Sequence, residues 1–281
     1  MNPPPPHSSD SPAHSPYDPV PQPPPYDNPY PRRPRRRRPW PLRLVIQLLR
    51  LLVAWLMLTI LLVLPWAYLP LPTTSFMVQN ALQNRGPYRY RWATYGDIAP
   101  ALALAVVAAE DQRFPNHNGF DFDEINAALE DYHQGGSLRG ASTISQQVAK
   151  NLYLWPGRSA LRKGLEVWFT YWIELLWTKE RILTVYLNVA QMGDRSFGAD
   201  AASRQFFEVP PQELTEAEAA LLAAALPNPE IYRVAEPSNE MYAKQDWILQ
   251  QMYQLGGTGY LEQLDRGRMA DTEAADETNG N

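Results

Sequence analysis

Apolar residues are concentrated in a few segments of this chain, and their spacing predicts helices separated by polar connections. The longest segment runs without a charge from Leu51 to Leu69, close to the roughly 20 apolar residues that a transmembrane helix needs. A second segment, PALALAVVAAEDQRF, begins at Pro100, and proline is favoured in the first turn of a helix. Glu110 and Asp111 then fall at the carboxyl end, where the helix dipole disfavours carboxylates. Because this position is unfavourable for a carboxylate, it favours a functional role for both residues. The alternative is that they are solvated acids on the surface.

Three further helices follow from capping signals and periodicity. Thr143 and Gln146 have the spacing of a capping box, which predicts a helix over 143–154 that ends before a proline. A long segment rich in tryptophan and phenylalanine predicts a second helix over 159–179, and another capping box predicts a third over 215–227. No set of alternating strands is apparent, although a short hairpin is compatible with the sequence. The predicted fold class is therefore mainly α.

The arginine-rich segment PRRPRRRRPW, residues 31–40, stands directly before the apolar run, and Trp66 and Tyr68 lie at the far end of that run. Basic residues mark the cytoplasmic side of a span, and amphipathic rings favour the headgroup region. We therefore predict one transmembrane helix over 42–69, with the amino terminus in the cytoplasm and residues 70–281 outside. A cleaved signal peptide is the alternative, but no small-residue cleavage site follows the run. An arginine run can also bind nucleic acid or anionic lipid, yet its position beside a span favours a topology signal.

Composition divides the remaining chain into segments. Most of the excess among the 28 prolines lies in the first 41 residues, which carry too few aliphatic side chains to offset the entropy of ordering. The prediction is a disordered tail over 1–41, a stalk over 70–95, a folded domain over 96–265 and an acidic tail over 266–281. The net charge of -5 averages a basic amino-terminal part with a more acidic remainder. The absence of cysteine excludes disulfides, metal thiolates and cysteine nucleophiles.

The polar run GASTISQQVAKN, residues 140–151, is the most distinctive segment of the predicted domain. Hydroxyl, amide and ammonium groups crowd it, where a core helix would show apolar spacing. The run lies between Glu110 and Glu166, two carboxylates that stand beside apolar sequence. We interpret it as a site that holds a polar, anionic ligand. The candidate binding residues within it are Ser142, Thr143, Gln146, Gln147, Lys150 and Asn151.

Glu110 is the first candidate for a catalytic carboxylate. It follows AVVAA directly, and apolar surroundings suit a carboxylate that acts as a general base near neutral pH. The alternative is an exposed acid at a helix end that pairs with Arg113.

Glu166 and its neighbours allow two interpretations. Arg162 and Lys163 lie four and three residues before it, so on a helix the three side chains form either an ordinary surface ion-pair cluster or a second acid beside cations that hold a phosphate. Sequence spacing does not distinguish the two. Lys150 and Arg158 are the candidate anion ligands, since lysine supplies a point charge and arginine a bidentate fork. The amino terminus of the predicted helix at 143 would add free N–H groups.

Three polar residues in the segment FPNHNGFD give weaker signals. His117 has no cysteine or second histidine nearby, which argues against a zinc site of the usual type, and we expect it to organise the loop by hydrogen bonds. Asp121 and Asp123 have loop spacing that loosely suggests calcium, but the following residues do not complete an EF-hand.

The aromatic residues after the polar run are first of all candidates for the core. So many amphipathic rings in one segment beyond a membrane anchor would also suit a surface that enters the outer leaflet. These residues are Trp155, Trp168, Phe169, Tyr171, Trp172 and Trp177.

Five sequence blocks together resemble a known family, the glycosyltransferase family 51 peptidoglycan polymerases, and among them the monofunctional biosynthetic transglycosylases. The similarity covers roughly residues 95–230. The blocks are EDQRFPNHNGFD from Glu110, GASTISQQVAKN from Gly140, RKGLE from Arg162, KERILTVYLN from Lys179 and GADAASRQFF from Gly198. The resemblance implies a lysozyme-like glycosyltransferase domain behind a single anchor in the cell inner membrane, with the catalytic domain in the periplasm.

The resemblance also implies an activity and roles for individual residues. Lipid II, the lipid-linked disaccharide pentapeptide, would be polymerised into β-1,4-linked glycan with release of undecaprenyl diphosphate and inversion at the donor carbon. Glu110 would deprotonate the acceptor hydroxyl, and Lys150, Arg158 and Arg162 would hold the donor pyrophosphate. Glu166 would assist at the leaving phosphate, directly or through a divalent cation, Mg or Mn. Lipid II, the nascent strand, membrane lipids and division or elongation proteins would be the partners, and nucleic acid would not.

The sequence departs from the family pattern at two places. Thr184 stands where the family usually has glutamate, which questions an ion-pair or packing contact of that helix. Gly135 and Gly136 are separated from STISQQ, which questions the shape of the loop before Gly140. Two rival functions stay open: a lytic glycan-cleaving enzyme on the same fold, and a non-catalytic scaffold whose proline-rich tail binds partners.

Overall fold

The computed structural model describes residues 40–135, 142–157 and 159–264, together with residue 22 alone. The chain divides into two compact units, residues 1–49 and 50–281. In the first unit the described residues 40–49 are helical. The predicted tails over 1–41 and 266–281 lie outside the described residues, except that Trp40 and Pro41 already belong to a helix.

The first helix, α1 (Trp40–Val63), is followed by a 3-10 turn, Leu64–Ala67, where Pro65 ends the regular helix. The combined segment Trp40–Ala67 is 28 residues long and apolar enough to cross a membrane. Most of its leucine and valine side chains are exposed. The segment is therefore compatible with a single-pass anchor that starts two residues before the predicted span.

The second unit is mainly helical, as predicted. The helices after α1 are α2 (Ser75–Asn80), α3 (Pro100–Glu110), α4 (Phe122–His133), α5 (Ile144–Tyr153), α6 (Ala160–Leu176), α7 (Lys179–Val189), α8 (Ala199–Phe206), α9 (Glu216–Ala225) and α10 (Asn239–Gln254). The strands are β1 (Arg89–Tyr90), β2 (Gln191–Gly193) and β3 (Ser196–Phe197).

Two alanine-rich helices form the centre of the core. Helix α3 begins with Pro100 in its first turn and buries every residue from 102 to 108, and α9 buries every residue from 219 to 225. Small side chains let these helices pack closely, and α10 packs against both. The capping box at Thr215 and Glu218 is present and starts α9 as predicted.

A second layer is built from α5, α6 and α7, with α5 packed against the other two. The predicted helix over 159–179 is wrong at its carboxyl end, because α6 ends at Leu176 and the hydroxyl of Thr178 caps the start of α7. Thr184 is buried in α7 and its hydroxyl donates to the carbonyl of Glu180 at 2.7 Å. This residue therefore makes a contact within its own helix at the position where the family usually has glutamate.

A small sheet closes one side of the domain, in the order β1-β3-β2. Strands β2 and β3 form a short antiparallel hairpin, and β1 pairs in parallel with β3. The sheet changes the interpretation of residues 70–95, which the sequence predicts as a stalk. Leu71, Met77 and Ala93 are buried in the core cluster, and the Tyr90 hydroxyl donates to the carbonyl of Leu71 at 2.5 Å. These residues pack into the domain, so it begins well before residue 96.

Candidate active site

Glu110 is the last residue of α3, where the buried helix reaches a cavity. Its Oε2 accepts a hydrogen bond from Gln147 Nε2 on α5 at 2.7 Å. Arg113, the alternative partner expected from spacing, bonds instead to Asp121 at 3.2 Å and to Asp123. Glu110 is half-buried, so its carboxylate is held by the protein on one side and open to the cavity on the other.

Tyr186 on α7 fixes the orientation of Gln147, and sequence reasoning missed it. Its hydroxyl donates to Gln147 Oε1 at 3.2 Å, which leaves the amide NH2 group facing Glu110. Burial raises the pKa of Tyr186 well above its usual value, and the charges of Glu110 and Asp111 raise it further. The phenol therefore stays protonated and keeps its role as a donor.

Two cavities are associated with this carboxylate, one that Glu110 lines itself and one that its partner Gln147 lines. The Glu110 cavity has a volume of about 360 Å³, and its lining includes Glu110, Ser142, Thr143 and Trp247. The Lys150 cavity has a volume of about 300 Å³, and its lining includes Gln147, Lys150 and Asn151. Both lie in the size range of small-ligand sites. Gln147 bonds to Glu110 and also lines the second cavity, so it connects the two.

The ammonium group of Lys150 is largely withdrawn from water. Burial lowers the pKa of Lys150, while the charges of Glu166 and Glu110 oppose that shift. The lysine therefore lies within electrostatic reach of both candidate carboxylates, and its role as an anion ligand stays a prediction.

Glu166 is buried, with 3 % of its surface exposed. Its Oε2 accepts from Arg162 Nη1 at 2.7 Å, and its Oε1 pairs with Lys163. The ion pairs expected from the spacing are present, but the carboxylate lies in the interior rather than on the surface, and the role of Glu166 at a phosphate stays a prediction.

Two of the predicted binding residues are used by the helix itself. The Thr143 hydroxyl accepts from the Gln146 amide N–H at 3.2 Å and donates to the carbonyl of Gly119 at 2.7 Å. Gln146 Oε1 accepts from the Thr143 N–H at 3.3 Å, and the residue is buried. The side-chain oxygen of Gln146 therefore serves the capping box, and its role as a ligand-binding residue stays a prediction. Ser142 is exposed and lines the Glu110 cavity.

Arg158 and the loop over 136–141, including Gly136 and Gly140, lie outside the described residues. The role predicted for Arg158 at the pyrophosphate, and the effect of the loop before Gly140, stay predictions.

Asp111 links the end of α3 to the start of α5, a connection that sequence reasoning missed. Its Oδ1 lies 2.9 Å from His117 Nε2, and its Oδ2 accepts from the Ile144 N–H at 3.0 Å. His117 therefore organises the loop by a hydrogen bond, as expected. The contact with Ile144 satisfies a free N–H in the first turn of α5 and fixes that helix beside Glu110.

The residues that could hold a divalent cation fit one poorly. Candidate ligand atoms of Asp111, His117 and Asp121 lie within 4.8 Å of one another. Both oxygens of Asp111 already accept or share hydrogen bonds, and Asp121 Oδ1 faces Arg113 Nη1 at 3.2 Å. Both oxygens of Glu166 are likewise paired with cations. A divalent cation needs free oxygen ligands, so these residues do not support the cation that the resemblance implies, and no step is assigned to a metal.

The aromatic residues divide between core and surface. Phe169 and Trp177 are buried, whereas Tyr171 and Trp155 are more than 40 % exposed. Trp168 and Trp172 are half-buried. The core interpretation therefore holds for only part of the set.

Comparison with known proteins defines the class. The family model described as Transglycosylase matches residues 78–253, so the chain belongs to the transglycosylase family. The match begins within the predicted stalk, in accord with the packing of that segment. The resemblance seen in the five sequence blocks is confirmed, and the mainly helical domain fits a lysozyme-like fold.

Individual relatives narrow the class further. The chain is 46 % identical over 233 residues to a biosynthetic peptidoglycan transglycosylase of Xylella fastidiosa, covering 81 % of this chain and 94 % of the relative. It is 47 % identical over 222 residues to one of Pseudomonas fluorescens, covering 77 % and 92 %. A third, from Yersinia pseudotuberculosis, is 50 % identical over 208 residues, covering 72 % and 86 %.

Proposed function

We propose that this chain is an inverting peptidoglycan glycosyltransferase that polymerises lipid II into β-1,4-linked glycan strands for the bacterial cell wall. The observation that carries the proposal is the hydrogen bond between Glu110, which lines one cavity, and Gln147, which lines a second cavity together with Lys150. The family membership supports the same activity. A lytic enzyme on this fold would also use a glutamate, but it has no need for the lysine-lined cavity.

Glu110 acts as the general base. It takes the proton from the acceptor sugar's 4-hydroxyl as that oxygen attacks the anomeric carbon of the donor, and the bond to the pyrophosphate breaks in the same displacement. Gln147, fixed by Tyr186, aims the carboxylate at the hydroxyl. The main contribution of the protein is to position the reactants and offset developing charge.

Lys150 and Arg162 stabilise the negative charge that develops on the leaving undecaprenyl diphosphate. Burial of these cations strengthens their interaction with phosphate oxygens, because less water screens it. Glu166 assists by holding Arg162 and Lys163 in place. Asn151 lines the same cavity and supplies an amide to the ligand.

The anchor and the domain are connected within the second unit in a way that suits a lipid-linked substrate. Trp168 Nε1 donates to Thr59 Oγ1 at 3.2 Å, and Trp177 Nε1 donates to the carbonyl of Val63 at 3.1 Å. The aromatic helix α6 therefore packs on the end of the apolar segment. We propose a single-pass protein of the cell inner membrane with its domain in the periplasm and the arginine-rich end in the cytoplasm.

Purified full-length protein in detergent tests the proposed class. Supplied with lipid II, it should form long glycan strands that a muramidase digests. Supplied with finished peptidoglycan, it should release no soluble fragments. Fragment release without polymerisation would establish the lytic alternative instead.

Complementation tests the scaffold alternative and the role of division or elongation proteins. In a strain that lacks this chain, the wild-type protein should restore wall synthesis and the Glu110→Gln variant should not. Equal restoration by both would favour a non-catalytic scaffold.

A further inference from the structure

Helix α10 forms a wall of the Glu110 cavity, and it lies outside the five sequence blocks. Trp247 is its contribution to the lining, with 44 % of the residue exposed. The core face of α10 is made by other residues, namely Met241, Ile248 and Met252, which are buried. Trp247 therefore faces the cavity instead of completing the core.

The position of Trp247 is fixed relative to the catalytic carboxylate. Gln251, one turn further along α10, accepts a hydrogen bond from Gln112 Nε2 at 3.1 Å. The carbonyl of Gln112 in turn accepts from the Tyr260 hydroxyl at 2.7 Å. Since Gln112 is two residues after Glu110, these contacts hold α10 against the end of α3 that carries the carboxylate.

Lys244 lies one turn before Trp247, on the same side of the helix. Burial lowers the pKa of Lys244, and the charges of Glu110 and Glu240 oppose the shift. Its ammonium is therefore within electrostatic reach of the catalytic carboxylate. Lys244 is not among the residues that line the Glu110 cavity, so Trp247 is the contribution of α10 to that lining.

The chemistry of the cavity restricts its ligand. Its apolar surface comes from Trp247, Ala108 and Ala109, while Glu110, Ser142 and Arg113 supply polar groups. A lipid tail would meet too many charges there. A pyranose ring matches this lining, because its C–H groups form an apolar face and its hydroxyls form a polar rim.

We propose that Trp247 is the stacking platform for a sugar ring of the glycan substrate beside Glu110. The proposal rests on the glycosyltransferase function and adds to it a substrate-binding residue on α10. The indole contacts the sugar before and during the reaction, so it contributes equally to ground-state and transition-state binding. Such uniform binding affects KM and leaves kcat unchanged.

Steady-state polymerisation of lipid II by the full-length protein tests the proposal. Trp247→Ala should raise KM roughly tenfold, the effect of one aromatic stacking contact, and keep kcat within about twofold. Trp247→Phe keeps a flat ring and should recover most of the loss. The matched control is Tyr253→Ala, because Tyr253 is an aromatic residue of the same helix that is 85 % exposed and should leave both constants unchanged.

Direct binding provides an independent readout in the inactive Glu110→Gln background. Adding Trp247→Ala should weaken lipid II binding roughly tenfold, with an unchanged unfolding temperature showing that the fold is intact. Unchanged affinity and KM in the alanine variant would overturn the proposal, as would a loss confined to kcat that phenylalanine does not recover. If the wild-type protein does not polymerise lipid II at all, the proposed function fails instead, and the two failures are distinguishable.

Discussion

Replacing Gln147 by methionine removes the amide that connects Glu110 to Tyr186 and largely preserves helix propensity and volume. In the wild-type protein Gln147 Nε2 donates to Glu110 Oε2 at 2.7 Å, and the Tyr186 hydroxyl donates to Gln147 Oε1 at 3.2 Å. A thioether cannot donate a hydrogen bond and accepts one only weakly. The variant therefore tests whether this amide positions the general base.

The effect on the rate follows from the lost contact with a charged group. A hydrogen bond to a charged group contributes about 1.5–3 kcal/mol, and about 1.4 kcal/mol corresponds to a factor of ten in rate. Glu110 is half-buried, so water replaces part of the contact and the lower end applies. We expect kcat to fall roughly tenfold to thirtyfold, with a smaller change in KM.

The effect on stability comes from Tyr186, which is 1 % exposed. Its hydroxyl would be buried without a good acceptor in Gln147→Met, at a cost of about 1–3 kcal/mol. Adding Tyr186→Phe removes that hydroxyl, so the double variant should regain stability and stay slow. Lipid II polymerisation and thermal unfolding of the wild-type protein and the two variants measure the two effects separately. A wild-type rate in Gln147→Met, or recovery of the rate together with stability in the double variant, would refute the reasoning.

Three further outcomes follow from the cations and carboxylates. An ordinary lysine has a pKa of about 10.4, and burial lowers the pKa of Lys150. Lys150 therefore loses its charge at a lower pH than an ordinary lysine does. We expect kcat/KM to decline as the pH rises through this range. Lys150→Arg stays charged and should move this decline to higher pH; coincident profiles would contradict it. Glu166→Gln should slow polymerisation and reduce stability by about 1.5–3 kcal/mol, whereas Lys163→Gln, whose side chain is half exposed, should cost at most about 1 kcal/mol in thermal unfolding. A chelator should leave polymerisation within about twofold, because the candidate carboxylate ligands are already paired; a large loss restored by Mg or Mn would contradict this.

Local signals explain which parts of the fold the sequence predicts. The capping boxes at Thr143 and Thr215 start helices at those residues, because a cap depends on neighbours within one turn. The missed break at Thr178 has a local signal too, a threonine that caps the next helix, but no glycine or proline marks it. The stalk prediction failed for another reason. The pairing of β1 with β3 joins residues more than a hundred positions apart, and composition carries no trace of it.

The distinction between local sequence signals and long-range contacts applies to the site as well. Glu110, Gln147, Lys150 and Asn151 come from two segments with conspicuous polar residues, and the structure places them in the lining of two cavities that the Glu110–Gln147 hydrogen bond links. Tyr186 belongs to a helix that is buried at every position from 182 to 189, so its sequence context indicated only packing.

The position of Trp247 follows from the docking of α10 against α3, a tertiary contact without a sequence signal. Gln146 shows the opposite case, in which one sequence pattern fits both a ligand-binding residue and a member of a capping box. Its side-chain oxygen completes the capping box, so that oxygen is not available to a ligand.

Polymerisation of lipid II by the purified full-length Glu110→Gln variant tests the central claim most directly. The amide keeps the shape of the side chain but cannot accept a proton as a general base. We predict that the variant binds lipid II with nearly wild-type affinity and forms no glycan strands, while wild-type protein in the same detergent forms long ones. Strand formation by the variant at a rate close to that of the wild-type protein would show that Glu110 is not the general base.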